Sequence, residues 1–301
     1  MKKHLIVIAG PTGIGKTDLS IGLAKHYQAE IISCDSRQFY KEMNIGTAVP
    51  SKTDLTEVKH HFIQNLSIKN HYTVGDFEKD ALAKIEDLHQ KNDVVIMVGG
   101  SGLYIDAVCK GLDDFPKIPQ EIRTRLNERL VSEGIESLEQ ELIVLDPDYH
   151  KVVDVSNPHR IIRALEVCIS SGKPFSSFRK RQKKTRRFKT IKIILNRDRE
   201  TLYQRINLRV NQMMKEGLLE EARNLLPFRG YNALQTVGYK ELFAYFDGEW
   251  NLETAIEEIK KNTRRYAKRQ MTWFRRDPET LFFNPEEESD IKEYLKEQIK
   301  D

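Results

Sequence analysis

The chain has 301 residues, of which 39% are hydrophobic and 31% are charged. This length suits two domains, or one α/β domain with an insertion, and the apolar fraction is too high for a disordered chain. No apolar run approaches the roughly 18 residues that a membrane helix needs. No signal-peptide pattern precedes the first apolar run, so we expect a cytoplasmic protein that is not bound to a membrane.

Charge is unevenly distributed along the chain, although the net charge is only +4. Residues 173–189 contain nine basic and no acidic side chains, and residues 261–276 contain seven basic and no acidic ones. Long runs of one sign favour a polyanionic partner over a solvated surface. The three cysteines (Cys34, Cys109 and Cys168) have no metal-binding spacing, so neither structural zinc nor a disulfide scaffold is expected.

Apolar strands alternate with amphipathic helices over the first third of the chain. We predict strands at 5–9, 30–34 and 94–98, and helices at 16–26 and 77–89. Prolines at 116 and 119 mark a boundary, after which helices are predicted at 120–133, 137–142 and 157–170. A strand at 190–195 and helices at 200–215, 218–226, 240–246 and 252–274 follow. The pattern predicts an α/β fold: a parallel sheet covered by helices (1–114 and 190–301), interrupted by a mainly helical insertion (115–189).

A phosphate-binding motif lies between the first predicted strand and helix. Its pattern is GxxxxGK[ST], formed by Gly10, Pro11, Thr12, Gly13, Ile14, Gly15, Lys16 and Thr17. Backbone N–H groups of such a loop surround an anion, the lysine adds charge, and the Thr17 hydroxyl can ligate Mg²⁺. The motif therefore predicts a diphosphate or triphosphate site.

An acidic residue follows the second strand. Asp35 is expected at the carboxyl edge of the sheet, beside Lys16 and Thr17, where it can hold metal, act as a base or merely cap a turn. The strand at 94–98 ends in Gly-Gly-Ser-Gly, where an NTPase would place a magnesium-binding acid. This difference weakens an NTPase interpretation.

Together these residues resemble the tRNA dimethylallyltransferases, also called tRNA isopentenyltransferases. The matching segments occur in order at 10–17, 35–40, 44–48, 60–61, 99–104, 157–167, 205–221, 237–240 and 268–275. The resemblance implies transfer of a dimethylallyl group from dimethylallyl diphosphate to N6 of adenosine 37, 3′ to the tRNA anticodon. It implies that residues 10–17 hold the diphosphate, with Mg²⁺ near Thr17.

The resemblance also implies roles for particular side chains. Asp35 is the expected general base, and Ser101 stands where the family usually has threonine. Arg209 is expected to stabilise the diphosphate, with Arg205 as the rival. Residues expected to contact tRNA are Asp35, Ser36, Arg37, Gln38, Ser101, Arg123, His159, Arg160, Ile161, Ile162, Arg163, Gly238, Tyr239, Lys240, Lys268, Arg269, Gln270, Trp273 and Arg275.

Among these, Arg37 stands where the family is expected to have methionine. The Gln38 side chain offers an amide suited to hydrogen bonding with an adenine edge. Trp273 can stack on RNA or, alternatively, pack in the protein core. The insertion is expected to grip the anticodon stem-loop. The neighbouring histidines His60 and His61 are not expected to bind metal, because strand neighbours point to opposite faces.

Two other functions remain open at this stage. A kinase that transfers phosphate from ATP to a small acceptor would share the phosphate motif and Asp35, but it leaves the basic runs unexplained. A nucleotide-dependent RNA-binding switch would bind ATP or GTP and RNA without forming a product. We expect a monomer, because no exposed apolar stripe indicates an interface.

Overall fold

A computed structural model describes residues 2–180, 184–278 and 280–300. The chain divides into two compact units, residues 1–109 with 185–301, and residues 110–184. The second unit begins and ends slightly before the predicted insertion of 115–189.

The first unit contains a six-stranded parallel sheet, which confirms the predicted α/β fold. Its strands are β1 (His4–Ala9), β2 (Ile31–Ser33), β3 (His60–His61), β4 (Val94–Gly99), β5 (Lys189–Leu195) and β6 (Phe282–Phe283). They are ordered β3-β2-β4-β1-β5-β6. Central β1 pairs with β4 on one side and β5 on the other, and His4 is in register with both Val94 and Lys189.

Helices cover both faces of this sheet. In the first unit they are α1 (Lys16–Tyr27), α2 (Lys52–Glu57), α3 (Val74–His89), α4 (Gly102–Lys110, ending in the second unit), α9 (Arg199–Lys215), α10 (Leu218–Leu225), α11 (Tyr239–Phe246), α12 (Leu252–Phe274) and α13 (Glu288–Lys300). Alternate β1 side chains enter different cores: Leu5 and Val7 pack with α3 residues, whereas Ile6 and Ile8 pack with α1 residues. This alternation explains why every residue of β1 is buried.

The second unit is helical and has its own apolar core. Its helices are α5 (Gln120–Glu133), α6 (Ile135–Leu145), α7 (Pro147–His150) and α8 (Pro158–Ser171). Asn157 caps α8 by accepting a hydrogen bond from the Arg160 backbone, and Pro158 occupies the first turn. Side chains from α5, α6 and α8, including Leu126, Leu142 and Leu165, form the core.

Several long periodic segments were predicted well, whereas the missed elements include short ones and the 13-residue helix α13. Helices α5 and α12 have the predicted bounds. Helices α2, α4, α7 and α13 and strand β6 were not predicted individually. No helix within the described ranges has the length and apolar content to cross a bilayer.

Candidate active site

The carboxyl edge of the sheet brings three sequence motifs together. The phosphate loop (residues 10–17) follows β1, Asp35 follows β2, and Ser101 follows β4. Glycine permits the close approach of two of these segments, because a Cβ on Gly99 would lie 2.2 Å from the Cys34 carbonyl oxygen. Adjacent parallel strands thus assemble the site that the sequence predicted at this edge.

The lysine of the phosphate loop, Lys16, stabilises the loop by hydrogen bonds to its backbone. Lys16 Nζ donates to the carbonyl oxygens of Gly10 at 3.0 Å and Pro11 at 2.8 Å. Gly13 and Gly15 have φ values of 79° and 107°, in the left-handed region that favours glycine. Burial lowers the pKa of Lys16 to about 8, opposed by the Asp35 carboxylate and assisted by the Arg209 guanidinium.

Two arginines from the segment after β5 also donate hydrogen bonds to the backbone of this loop. Arg205 Nε donates to the Gly13 carbonyl at 2.9 Å, and Arg197 Nε donates to the Ile14 carbonyl at 3.2 Å. Arg197 also pairs with Glu286 at 2.6 Å. Arg205, the rival for the diphosphate arginine, is therefore engaged with the loop backbone.

Arg209, the arginine expected to stabilise the diphosphate, lies close to Asp35 and Lys16. Burial lowers the pKa of its guanidinium, the negative charge of Asp35 opposes this, and the positive charge of Arg205 reinforces it. Arg209 thus interacts electrostatically with both Asp35 and Lys16. The three side chains form a charged cluster at the sheet edge.

Two cavities meet at this cluster. The first, the phosphate-loop cavity, measures about 520 Å³ and includes Gly13, Lys16 and Thr17 in its lining. The second, the basic cavity, measures about 480 Å³ and includes Arg37, Lys240 and Arg269. Residues that line both are Thr12, Asp35, Thr47, Ala48, Arg209 and Tyr266. The phosphate-loop cavity thus provides an anion site, the basic cavity provides a second positively charged site, and the Asp35 carboxylate lines both.

Tyr266 is a member of the site that the sequence analysis missed. Burial together with the nearby Asp35 charge raises the pKa of its hydroxyl to about 12, and the neighbouring Ser101 hydroxyl opposes this shift. Ser101 Oγ in turn accepts from the Ser36 backbone N–H at 3.2 Å. Tyr266 lies within the basic run 261–276, where Trp273 was the aromatic residue assigned to RNA.

Residues directly after Asp35 are held by local contacts. The Arg37 backbone donates to Asp35 Oδ1 at 2.9 Å, and Arg37 Nη1 donates to the Asn232 carbonyl. Gln38 donates to the carbonyls of Thr47 and Ala48 and accepts from Ser33. The Gln38 amide is thus occupied within the protein rather than directed to an adenine edge.

Tyr239 needs a correction, because it is fully buried and cannot present its side chain to RNA. Its hydroxyl donates to Glu221 at 2.7 Å. Glu221 also accepts from the backbone N–H groups of residues 44–46 at 2.8–3.1 Å. Tyr239 and Glu221 therefore fix the loop at 44–48, whereas exposed Lys240 and the Gly238 turn line the basic cavity.

The last segment predicted to bind RNA lies at the end of α12, and some of its side chains are exposed whereas others are buried. Lys268, Arg269 and Arg275 are exposed. Trp273 is half-buried and donates from Nε1 to Asp106 at 3.0 Å, which agrees with its core-packing alternative. Gln270 is only 7% exposed, so its predicted RNA contact is also corrected.

Two predicted RNA residues in the helical unit are wrong for the same reason. Ile161 and Ile162 are 0% and 2% exposed and belong to the apolar core. Helical geometry places their neighbours His159 and Arg160 on the exposed side. Arg123 and Arg163 both pair with Glu166, a carboxylate that the sequence analysis did not identify.

The first basic run has mixed roles. Arg186 pairs with Glu78 at 2.7 Å and donates to two backbone carbonyls, and Arg187 pairs with Glu86. Lys173 and Lys180 are exposed. Arg181 and Lys183 lie outside the described residues. This run therefore includes structural ion pairs as well as exposed charge.

The residues present suit Mg²⁺ bound together with a diphosphate. Thr17 and Asp35 line the same cavity, and magnesium is commonly held by one or two protein oxygens plus phosphate oxygens. Within residues 2–180, 184–278 and 280–300, no cluster of three His, Cys, Asp or Glu side chains is arranged for a metal. His61 instead contacts Glu30 at 2.6 Å, and His60 contacts the Val58 carbonyl.

Comparison with known proteins gives consistent matches. A model of the family described as IPP transferase matches residues 38–277. The tRNA dimethylallyltransferase of Christiangramia forsetii is 59% identical over 99% of both chains, and that of Flavobacterium johnsoniae is 55% identical over 99% of both.

Solved structures match in the same way. The full-length tRNA isopentenylpyrophosphate transferase of Bacillus halodurans has a TM-score of 0.72 and 35% identity, covering 99% of this chain and 97% of that one. A eukaryotic dimethylallyltransferase acting on tRNA has a TM-score of 0.77 and 31% identity, covering 90% of this chain and 70% of that one.

Proposed function

Because the chain belongs to the IPP transferase family, we propose that it transfers a dimethylallyl group from dimethylallyl diphosphate to N6 of adenosine 37 in tRNA. The family and the class of enzyme predicted from the sequence, a tRNA-modifying transferase, are confirmed by the identity of the relatives. The observation that carries the proposal is the meeting of the phosphate-loop cavity and the basic cavity at Asp35 and Arg209.

The two cavities suit the two substrates. The phosphate-loop cavity offers Lys16, Thr17 and the N–H groups of a glycine-rich loop, which suit a diphosphate. The basic cavity offers Arg37, Lys240 and Arg269, which suit the phosphates around a nucleotide flipped out of the anticodon loop. Asp35 lies where the reacting ends of the two substrates would meet.

The reaction breaks the C1–O bond of the allylic diphosphate and forms a bond between C1 and N6 of adenine. Asp35 orients the exocyclic amine and accepts its proton. The diphosphate leaves with the bonding electron pair, and Lys16, the loop N–H groups and Arg209 stabilise its added charge. Mg²⁺ bound at Thr17 would neutralise further charge on the diphosphate.

Side-chain hydroxyls support the positioning of the amine. Ser101 is hydrogen-bonded to Ser36, which directly follows Asp35, and Tyr266 lies near both Ser101 and Asp35. The serine retains the hydroxyl of the threonine usual in the family. A tRNA substrate supports a cytoplasmic location, and the monomeric state expected from the sequence stays a prediction.

The proposal is tested by mass analysis of an unmodified anticodon stem-loop RNA after incubation with the protein, Mg²⁺ and dimethylallyl diphosphate. We expect a gain of one C5H8 unit, and none in a control RNA with guanosine at position 37. A parallel reaction contains ATP in place of the allylic diphosphate. ATP consumption or phosphate transfer without prenylation would instead favour the kinase.

A further inference from the structure

Gln270 connects the phosphate loop to the segment that carries Ser101. Its Oε1 accepts a hydrogen bond from the Thr12 backbone N–H at 3.0 Å. Its Nε2 donates to the Gly100 carbonyl at 2.9 Å. The side chain projects from α12, so one amide connects three segments that are far apart in the sequence.

The surroundings of Gln270 leave little freedom. It is 7% exposed, and a Cβ on Gly100 would lie 2.2 Å from Nε2 and 3.2 Å from the Gly10 carbonyl oxygen. Glycine at position 100 therefore allows β4 to end against both the amide and the phosphate loop. Both hydrogen-bonding groups of this buried amide are in use. Replacing the amide is therefore costly, because the Thr12 N–H and the Gly100 carbonyl would each lose a hydrogen-bond partner.

We propose that Gln270 is a positioning residue that fixes the Ser101 segment against the phosphate loop. It thereby sets the separation between the diphosphate, where the C1–O bond breaks, and the amine, where the new bond forms. This inference rests on the proposed function. It assigns Gln270 to the reaction geometry, whereas its neighbours Lys268 and Arg269 are exposed and free to face RNA.

The first test compares Gln270→Met with Thr272→Ala. Methionine keeps the length of the side chain but makes neither hydrogen bond. Thr272 lies on the same helix and is exposed, and among the residues that the structure describes its side chain bonds only to the Lys268 carbonyl of that helix, so its variant is a matched control. Measurements are kcat, the KM for dimethylallyl diphosphate, and the Kd for stem-loop RNA.

We expect Gln270→Met to lower kcat about 100-fold, because small misplacements of reacting groups have effects of this order. The KM for dimethylallyl diphosphate should rise about tenfold, the effect of losing one hydrogen bond to the loop. The Kd for RNA should stay unchanged. A raised RNA Kd with unchanged kcat and unchanged allylic KM would overturn the proposal and make Gln270 an RNA contact.

Gln270→Glu supplies a readout that a general loss of stability does not give. One carboxylate oxygen still accepts from Thr12, but the other faces the Gly100 carbonyl without a proton. Protonation restores a donor, so the activity of this variant, relative to wild type, should rise as the pH falls. A flat ratio across pH 5.5–8 would contradict the proposed geometry.

A double variant tests the contact with Gly100 directly. Gly100→Ala introduces the 2.2 Å clash, and adding Gln270→Ala removes the clashing atom. We expect the double variant to be more active than Gly100→Ala alone, although not fully restored because of the Gly10 contact. If the loss of activity in the double variant equals the sum of the losses in the two single variants, Gln270 and Gly100 are not coupled and the proposal is overturned. Absence of transfer by the wild-type protein would instead contradict the proposed function.

Discussion

Glu166, which is 2% exposed, holds the Arg123 guanidinium with 3.1 Å between Oε2 and Nε. Its other oxygen contacts Arg163, whose guanidinium also lies 5.1 Å from the centre of the Phe115 ring. A single buried carboxylate thus orients two arginines that the sequence analysis assigned to RNA binding. Oriented guanidinium groups bind phosphates with less loss of side-chain entropy than free ones.

Glu166→Gln should therefore weaken stem-loop RNA binding several-fold while leaving the KM for dimethylallyl diphosphate unchanged. RNA Kd at several salt concentrations is the measurement. Glu139→Gln, which alters a partly exposed pair with His150 in the same unit, is the control. Equal RNA affinity of wild type and Glu166→Gln would mean that these arginines do not contact RNA.

Asp35→Asn should abolish most turnover and retain RNA affinity. The amide keeps the size of the side chain and can still accept from the Arg37 backbone, but it cannot accept the amine proton. A loss of 100-fold or more is expected, within the usual range for general base catalysis of about 10²–10⁴. Single-turnover prenylation followed by mass spectrometry measures the effect, and an unchanged rate would remove Asp35 as the base.

Lys16 gives diphosphate binding a pH dependence. Burial lowers its pKa to about 8, so the unliganded protein loses this positive charge as the pH rises through that value. The affinity for a non-transferable dimethylallyl diphosphate analogue should then fall by up to about tenfold per pH unit above 8. Calorimetric titrations at pH 7, 8 and 9 test this.

Lys16→Arg is the matched comparison, because a guanidinium stays charged throughout this pH range. Its affinity is expected to be lower at pH 7, since the larger group does not fit the lysine position between the Gly10 and Pro11 carbonyls. Its pH dependence should be flatter. If both proteins show the same slope, another group titrates.

Variants in the first basic run (residues 173–189) should fall into two classes, those that change RNA binding and those that change stability. Replacing exposed Lys173 and Lys180 with alanine should reduce the salt dependence of RNA binding, because fewer counterions are released. Arg186→Ala should chiefly lower the thermal stability, because it leaves Glu78 without its ion pair and two carbonyls without donors. Melting temperatures and salt titrations on the same samples distinguish them.

Much of the fold follows from local patterns in the sequence. Apolar runs with turn residues predict β1, β2 and β4, and their alternation with amphipathic helices predicts a parallel sheet. Because parallel strands end at one edge, Asp35 was already expected beside the glycine-rich loop. Short elements such as β6 and α7 were missed, because two to four residues carry too little periodicity.

The sequence by itself determined the family, the parallel sheet and the motifs at its edge, since these depend on local spacing and chain order. Tertiary structure decided which motif side chains face a cavity. Ile161 and Tyr239 lie inside RNA-associated motifs yet are buried, and Gln270 bonds to two backbone segments. Tyr266 and Glu166 emerged only from packing. Burial and pairing depend on contacts between distant segments, which adjacency in the sequence does not specify.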